Sequence, residues 1–185
     1  DNNYEYIGFE PSSNVAKVAN KNRINTLNNF FELQSIDLIK NFKEKTDVIY
    51  AANVICHVPD LNNLIKTVDK LLSKNGVFIF EEPYLGSMFQ KTSYDQIYDE
   101  HIFMFSATSV KKIFNLFDMD LINLIKQSTH GGSMRYVIAR KGSHNIEKNV
   151  NLILNEEKLK NLDNINSCLE FKNNCENSKH KLNEL

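Results

Sequence analysis

The residues best equipped for chemistry are crowded into Tyr98-Asp99-Glu100-His101, which Ile102-Phe103-Met104-Phe105 follows at once. A phenol, two carboxylates and an imidazole beside an apolar wall are a setting in which burial and neighbouring charge move a pKa toward neutrality. A neutral imidazole at His101 could act as a general base, a role that contributes on the order of 10² to 10⁴ in rate. Glu100 could hold that ring in one tautomer, as the orienting acid of a triad does. Tyr98 could donate to an oxyanion as charge develops. A second polar stretch, Thr129-His130-Gly131-Gly132-Ser133, could bring His130 and the N–H groups of two glycines to a substrate. The same residue types also build plain surface turns. Tyr98 can be a core-edge tyrosine, and Gly131 and Gly132 can close a tight turn between strands. The elements upstream favour function.

Residues 4–9 are aromatic and β-branched and read as a strand, ended by Glu10-Pro11. Ser12, Ser13 or Asn14 can cap a helix over 15–21. Residues 24–27 read as a second strand, and 30–42 carry helix-like apolar spacing. Residues 47–52, Asp-Val-Ile-Tyr-Ala-Ala, suit a strand covered on both faces. Asn53, Cys56 and His57 follow it. Pro59 and Asp60 then start a helix that a glycine C-cap at Asn75-Gly76 would end. Residues 77–80 form the next strand and lead into Glu81-Glu82-Pro83-Tyr84.

Three alternations of strand and helix predict a parallel, doubly wound α/β sheet. Ligands of such sheets bind beyond the carboxyl ends of the strands, where Glu10, Asn53, His57, Glu82 and Tyr84 fall. A helix over 108–117 capped by Thr108 or Ser109 comes next. Strands over 121–125 and 134–139 are separated only by 127–133, which predicts an antiparallel pair. From Gly142 the apolar residues are spaced as on one or two amphipathic helices. The domain reading is therefore residues 1–142, then a helical segment over 143–185.

Composition excludes little. Apolar residues make up 42% and charged residues 24%, with a formal net charge of −1, so nothing argues for nucleic acid or an anionic membrane as partner. No apolar run nears the roughly 18 residues of a membrane span. The first residues lack the basic and apolar regions of a signal peptide. Three cysteines without zinc-type spacing suggest a reduced, cytoplasmic protein with no metal site, and Cys56 reads as a buried small apolar residue.

Glu10-Pro-Ser, the run from Asp47 to Asn53 with His57-Val-Pro-Asp60, and Glu81-Glu-Pro-Tyr84 resemble the strand-end motifs of class I S-adenosylmethionine (SAM)-dependent methyltransferases. Tyr98-Asp-Glu-His101 and Thr129-His-Gly-Gly-Ser-Met-Arg135 narrow this to a resemblance to the C-methyltransferases that act on nucleotide-linked keto-deoxysugars. The resemblance runs from about residue 4 to 141. It implies a Rossmann-like sheet with an antiparallel final strand, and SAM held by Glu10, Pro11 and Asn53. It further implies His101, Tyr98, Glu100 and His57 at the chemistry, and a nucleotide-linked keto-sugar contacted by Glu82, Tyr84, His130, Gly131, Gly132, Ser133 and Arg135. Relative to that family the chain reads as an internal fragment, without the first strand, its glycine-rich loop or the zinc-binding domain, so its own activity is expected to be absent. Two alternatives stay open. One is a methyltransferase for a small hydroxyl or amine acceptor, in which Tyr98 would be dispensable; the other is a non-catalytic binding module.

Overall fold

The computed structural model describes residues 4–184; the outermost readings above, at residues 1–3 and 185, lie outside that range. The main sheet is built from β3 (Thr46–Ala52), β4 (Leu72–Pro83), β5 (Met119–Gln127) and β6 (Ser133–Arg140), in the order β3-β4-β6-β5. β3 and β4 are parallel, with Val48 opposite Val77 and Ala52 opposite Glu81. β6 runs antiparallel to both β4 and β5. The expected antiparallel pair is present, and it enters the sheet with β6 inside and β5 at the edge.

The core forms where the helices cover this sheet. Phe78, Phe80, Tyr136, Leu121, Leu124 and Ile138 are all buried. Phe80 stacks on Tyr136 at 4.8 Å between ring centroids, and Phe114 of α4 (Ala107–Asn115) lies 5.8 Å from Phe80. Aromatic pairs at such separations add about 0.5–1.5 kcal/mol each beyond the area they bury. α2 (Leu61–Leu71) contributes Leu64, Ile65 and Val68 to the same core, and α5 (Lys148–Leu159) contributes Val150 and Ile153.

Several expected boundaries shift. The strand expected over residues 4–9 is only β1 (Gly8–Phe9), which pairs in parallel with β2 (Thr26–Leu27) in a separate two-stranded sheet. A strand needs a hydrogen-bonded neighbour, and residues 4–7 have no ladder partner in the described chain. On β3, Val48 and Tyr50 are 56% and 58% exposed. The helix after β1 is α1 (Ser13–Lys21), with Ser12 in the capping position. Residues 33–42 form 3-10 turns broken at Ile39, where φ is −132°. Asn75-Gly76 does not cap α2. The chain leaves α2 at Leu72 in an extended conformation and runs straight into β4. Gly76 is needed there for closeness: a Cβ would stand 2.5 Å from the Thr46 carbonyl oxygen. α4 starts at Ala107, with Ser106 and Ser109 in a reciprocal capping box, worth about 0.5–2 kcal/mol at the cap residue. After β6 the chain forms α5 and α6 (Ile165–Asn183). No helix of the described residues is long and apolar enough to cross a membrane.

Candidate active site

Beyond the carboxyl end of β4 the chain makes α3 (Leu85–Lys91) and then a largely irregular segment to Phe105. Two backbone contacts pin that segment to the sheet. Leu85 N–H donates to the Phe105 carbonyl at 2.9 Å, where Tyr84 and Phe105 form a short parallel bridge. Ile102 N–H donates to the Cys56 carbonyl at 2.9 Å. The second contact brings the Tyr98–His101 turn against the 3-10 turn Ile55–His57, which follows β3.

His101 is oriented from both sides. Its Nδ1 lies 2.8 Å from the Gln96 carbonyl oxygen, and its Nε2 lies 2.8 Å from the Tyr98 hydroxyl. A carbonyl can only accept, so the neutral ring carries its proton on Nδ1 and leaves the Nε2 lone pair to receive the phenol proton. His57 repeats the pattern. Its Nδ1 sits 2.7 Å from the Glu100 carbonyl oxygen, and its ring is 5.0 Å from that of His101. Both imidazoles are partly exposed, and Tyr98 is 48% exposed. The Tyr98 phenol is held above its ordinary pKa, first by loss of water and then by nearby charge, including that of Glu100 and Glu82. It therefore stays a neutral donor at physiological pH.

The orienting role expected of the Glu100 carboxylate is filled differently. The Gln96 carbonyl fixes His101, and Glu100 acts on His57 through its backbone oxygen. Gln96 carried no signal in sequence, because any residue offers a carbonyl.

Glu82 and Tyr84, expected to touch substrate, face the interior. Glu82 is fully buried and accepts from the N–H groups of Val54 at 2.9 Å and Ile55 at 2.6 Å. It thereby ties the loop after β3 to the end of β4. Tyr84 is 6% exposed and donates to Glu157 Oε1 at 2.9 Å. Burial, followed by the Glu157 charge, pushes the Tyr84 phenol far up. Glu157 also accepts from the N–H groups of Ala107 at 2.6 Å and Thr108 at 2.8 Å. A carboxylate of α5 thus caps the amino end of α4. The period of α5 gave no warning, since a buried glutamate breaks its apolar pattern.

The Thr129–Gly131 turn reaches the site only at its margin. His130 is exposed, with a left-handed φ of +49°. Gly132 N–H is taken by the Thr129 carbonyl at 2.8 Å, so it is not free for a substrate. Glycine is required there: φ is +131°, and a Cβ would stand 2.6 Å from Ser87. Ser133 is buried and donates to the Thr129 carbonyl, while Arg135 pairs with Glu81 at 2.9 Å. The turn packs beside Ser93 and Gln96, just before Tyr98. A concavity of about 520 Å³ lies elsewhere, between α3 and the α5–α6 junction, and none of Tyr98, His101 or His57 lines it.

The residues expected to meet a cofactor stand at strand ends. Glu10 follows β1, half-buried, and accepts from Ser12 N–H at 2.7 Å. Pro11 is exposed beside it, its carbonyl taken by the Asn28 amide at 2.8 Å. Asn53 follows β3 in the left-handed region, with φ +54° and its side chain exposed. Its N–H donates to the Glu81 carbonyl at 2.8 Å.

Known proteins agree with this architecture. Among solved structures, a SAM-dependent methyltransferase from Thermotoga maritima superposes with a TM-score of 0.53 at 18% identity, covering 70% of this chain and 71% of that one. Another from Anabaena variabilis gives 0.53 at 16%, covering 73% and 68%. The C-methyltransferase NovU of Streptomyces niveus is 26% identical over 180 residues, which are 97% of this chain and 43% of that protein. The chain thus spans less than half the length of that curated relative. Residues 128–185 match the C-methyltransferase C-terminal domain model, and residues 1–124 match the methyltransferase domain model. With two thirds of its length matched by that second model, the chain belongs to the methyltransferase-domain family.

Proposed function

We propose that this chain carries the reaction centre of a SAM-dependent C-methyltransferase whose acceptor is a carbon next to a ketone, on a nucleotide-linked keto-sugar. The observation that supports this most is the ordered chain Gln96 C=O, His101, Tyr98. It presents an unprotonated imidazole nitrogen that accepts from a neutral phenol, on an accessible turn beyond the sheet's carboxyl ends. An O- or N-methyl transfer needs a base alone. Transfer to carbon also needs a donor for the enolate oxygen, and the Tyr98 hydroxyl is placed for that.

In the resting arrangement the Tyr98 hydroxyl donates a hydrogen bond to Nε2 of His101. When substrate enters, the acidic C–H takes that place, and the hydroxyl turns to the ketone oxygen. The C–H proton passes to Nε2 while its electron pair spreads into the enolate. His57, held in the same tautomer by the Glu100 carbonyl, offers a second acceptor beside the first. When bound, SAM would supply the electrophilic methyl that the enolate carbon takes, with a neutral thioether as the leaving group. Glu10 and Asn53, at the ends of β1 and β3, fit the ribose side of such a group, since a half-buried carboxylate and an exposed amide can hydrogen-bond a diol.

The direct test is His101→Gln in the whole protein. Glutamine keeps hydrogen bonding but accepts no proton at neutral pH, so turnover should fall on the order of 10²-fold or more with both ligands still bound. Unchanged turnover would remove His101 from the chemistry.

A further inference from the structure

The sulfur of Cys56 and a ring nitrogen from each of His57 and His101 all lie within 4.8 Å of one another. We propose that these three side chains form a binding site for a borderline-soft divalent cation, of the zinc or cobalt type, at the nitrogen assigned above as the base. Occupancy would withdraw that nitrogen from proton transfer; this inhibitory consequence, unlike the binding, rests on the functional reading of His101.

Three features support the binding. The tautomers are the first. Histidines that ligate metals almost always donate their other ring N–H to a carbonyl or carboxylate, which fixes the ring and raises the basicity of the ligating nitrogen. Both rings here already do so, His57 to Glu100 and His101 to Gln96, and both leave Nε2 for a ligand. Imidazole nitrogen and thiolate sulfur are both donors that zinc takes, and three of them leave one tetrahedral position open.

The second is charge. Glu82 Oε2 is buried and has no hydrogen-bond partner among the described residues. Its carboxylate lies beside the Cys56 thiol. A cation offsets that negative charge. On binding, the thiol proton leaves to solvent and the sulfur lone pair goes to the metal.

The third is reach. Zinc–nitrogen bonds of about 2.0–2.1 Å and zinc–sulfur bonds of about 2.3 Å put tetrahedral ligand atoms roughly 3.3–3.6 Å apart. From separations of up to 4.8 Å, the two partly exposed imidazoles need close by at most roughly 1.2–1.5 Å to meet this. The Tyr98 hydroxyl, at 2.8 Å from His101 Nε2, is the group displaced.

The test is cobalt(II) titrated into the 185-residue chain, followed by absorption. The expected result is a sulfur-to-cobalt charge-transfer band that saturates at one equivalent. Zinc should shift the ¹⁵N resonances of Nε2 in His57 and His101, and leave those of His130, His144 and His180 in place. Cys56→Ser should abolish the band. Changing a group that only orients a metal's ligands costs about 10- to 100-fold in affinity, so His57→Gln, which removes a ligand at a partly exposed position, should weaken binding at least about tenfold. The double variant Cys168→Ser/Cys175→Ser should keep the band. No band, a band surviving Cys56→Ser, or a band lost with Cys168 and Cys175 would overturn the proposal. None of these readouts depends on turnover, so a failed metal site would leave the test of His101 as base standing.

Discussion

Tyr98 and Tyr84 each end in a hydroxyl within hydrogen-bond reach of a titratable partner, at 2.8 Å from His101 and 2.9 Å from Glu157. Their surroundings differ in kind. Tyr98 sits on an irregular turn, half exposed, and its partner ring is held by the Gln96 backbone carbonyl. Tyr84 is buried, and its partner is a carboxylate that also caps a helix. The first arrangement can exchange a proton with an incoming molecule. The second is sealed and joins β4, α4 and α5 into one body. Polar residues near the strand ends therefore divide into those open to an incoming molecule and those that tie the elements together, and solvent access separates them.

That division can be broken most forcefully at Glu157. Glu157→Ala strips an acceptor from the buried Ala107 N–H and Tyr84 phenol and from the partly buried Thr108 N–H. Bonds to a charged acceptor contribute roughly 1.5–3 kcal/mol each, so even with partial relaxation the loss should be at least about 3 kcal/mol by urea unfolding. A change under about 1 kcal/mol would mean that the α4 cap is not what joins α5 to the sheet.

Tyr98→Phe sharpens the other side. Oxyanion donors contribute about 10² to 10³ in the strongest cases. We expect a turnover loss at or below that range, a smaller effect than that of His101→Gln, with the unfolding midpoint unchanged. If Tyr98→Phe is the more damaging of the two, the phenol is the base and the roles are exchanged.

Tyr84→Phe should invert that pattern. It removes one buried bond to a carboxylate, costing about 1.5–3 kcal/mol of stability, and should leave KM for both ligands as it was. A rise in KM with no loss of stability would return Tyr84 to the substrate.

The smallest effect belongs to Lys126 and Glu156, whose charged groups meet at 2.8 Å on the surface. The hydrogen bond from Lys126 lowers the Glu156 pKa. A carboxylate with a depressed folded pKa adds stability above its unfolded pKa, and that contribution is lost as pH falls through the folded value. Both side chains are about half exposed, so Lys126→Ala should cost only about 0–1 kcal/mol at neutral pH. That difference should vanish in acid; a cost that persists there would point to packing of the lysine stem instead.

Much of this was legible in sequence where a rule is local. The near-continuous apolar run 47–52 and the short link between β5 and β6 led directly to the parallel pair and the antiparallel pair. The dense Tyr98–His101 cluster led to the candidate base. What could not be read was which partner satisfies each polar group. Glu100 and Gln96 differ in side chain, yet both act through backbone oxygens that no residue type reveals. Glu157 lies 73 residues from Tyr84, and only the packing of α5 on the sheet makes it a helix cap. Gly76 carries the sign of a helix end, but its close approach to Thr46 is a property of two neighbouring strands. Sequence likewise gave no reason to join Cys56 to His101, since the contact runs through a carbonyl that receives Ile102.

The central claim is that Nε2 of His101 takes the proton from the carbon to be methylated. Solvent exchange tests it without methyl transfer. The whole protein is incubated in deuterium oxide with a nucleotide-linked keto-sugar and S-adenosylhomocysteine, and the substrate is read by NMR. The account predicts deuterium entering the carbon next to the ketone with wild-type protein, and a loss on the order of 10²-fold or more with His101→Gln. Exchange at the same rate in both proteins would contradict it.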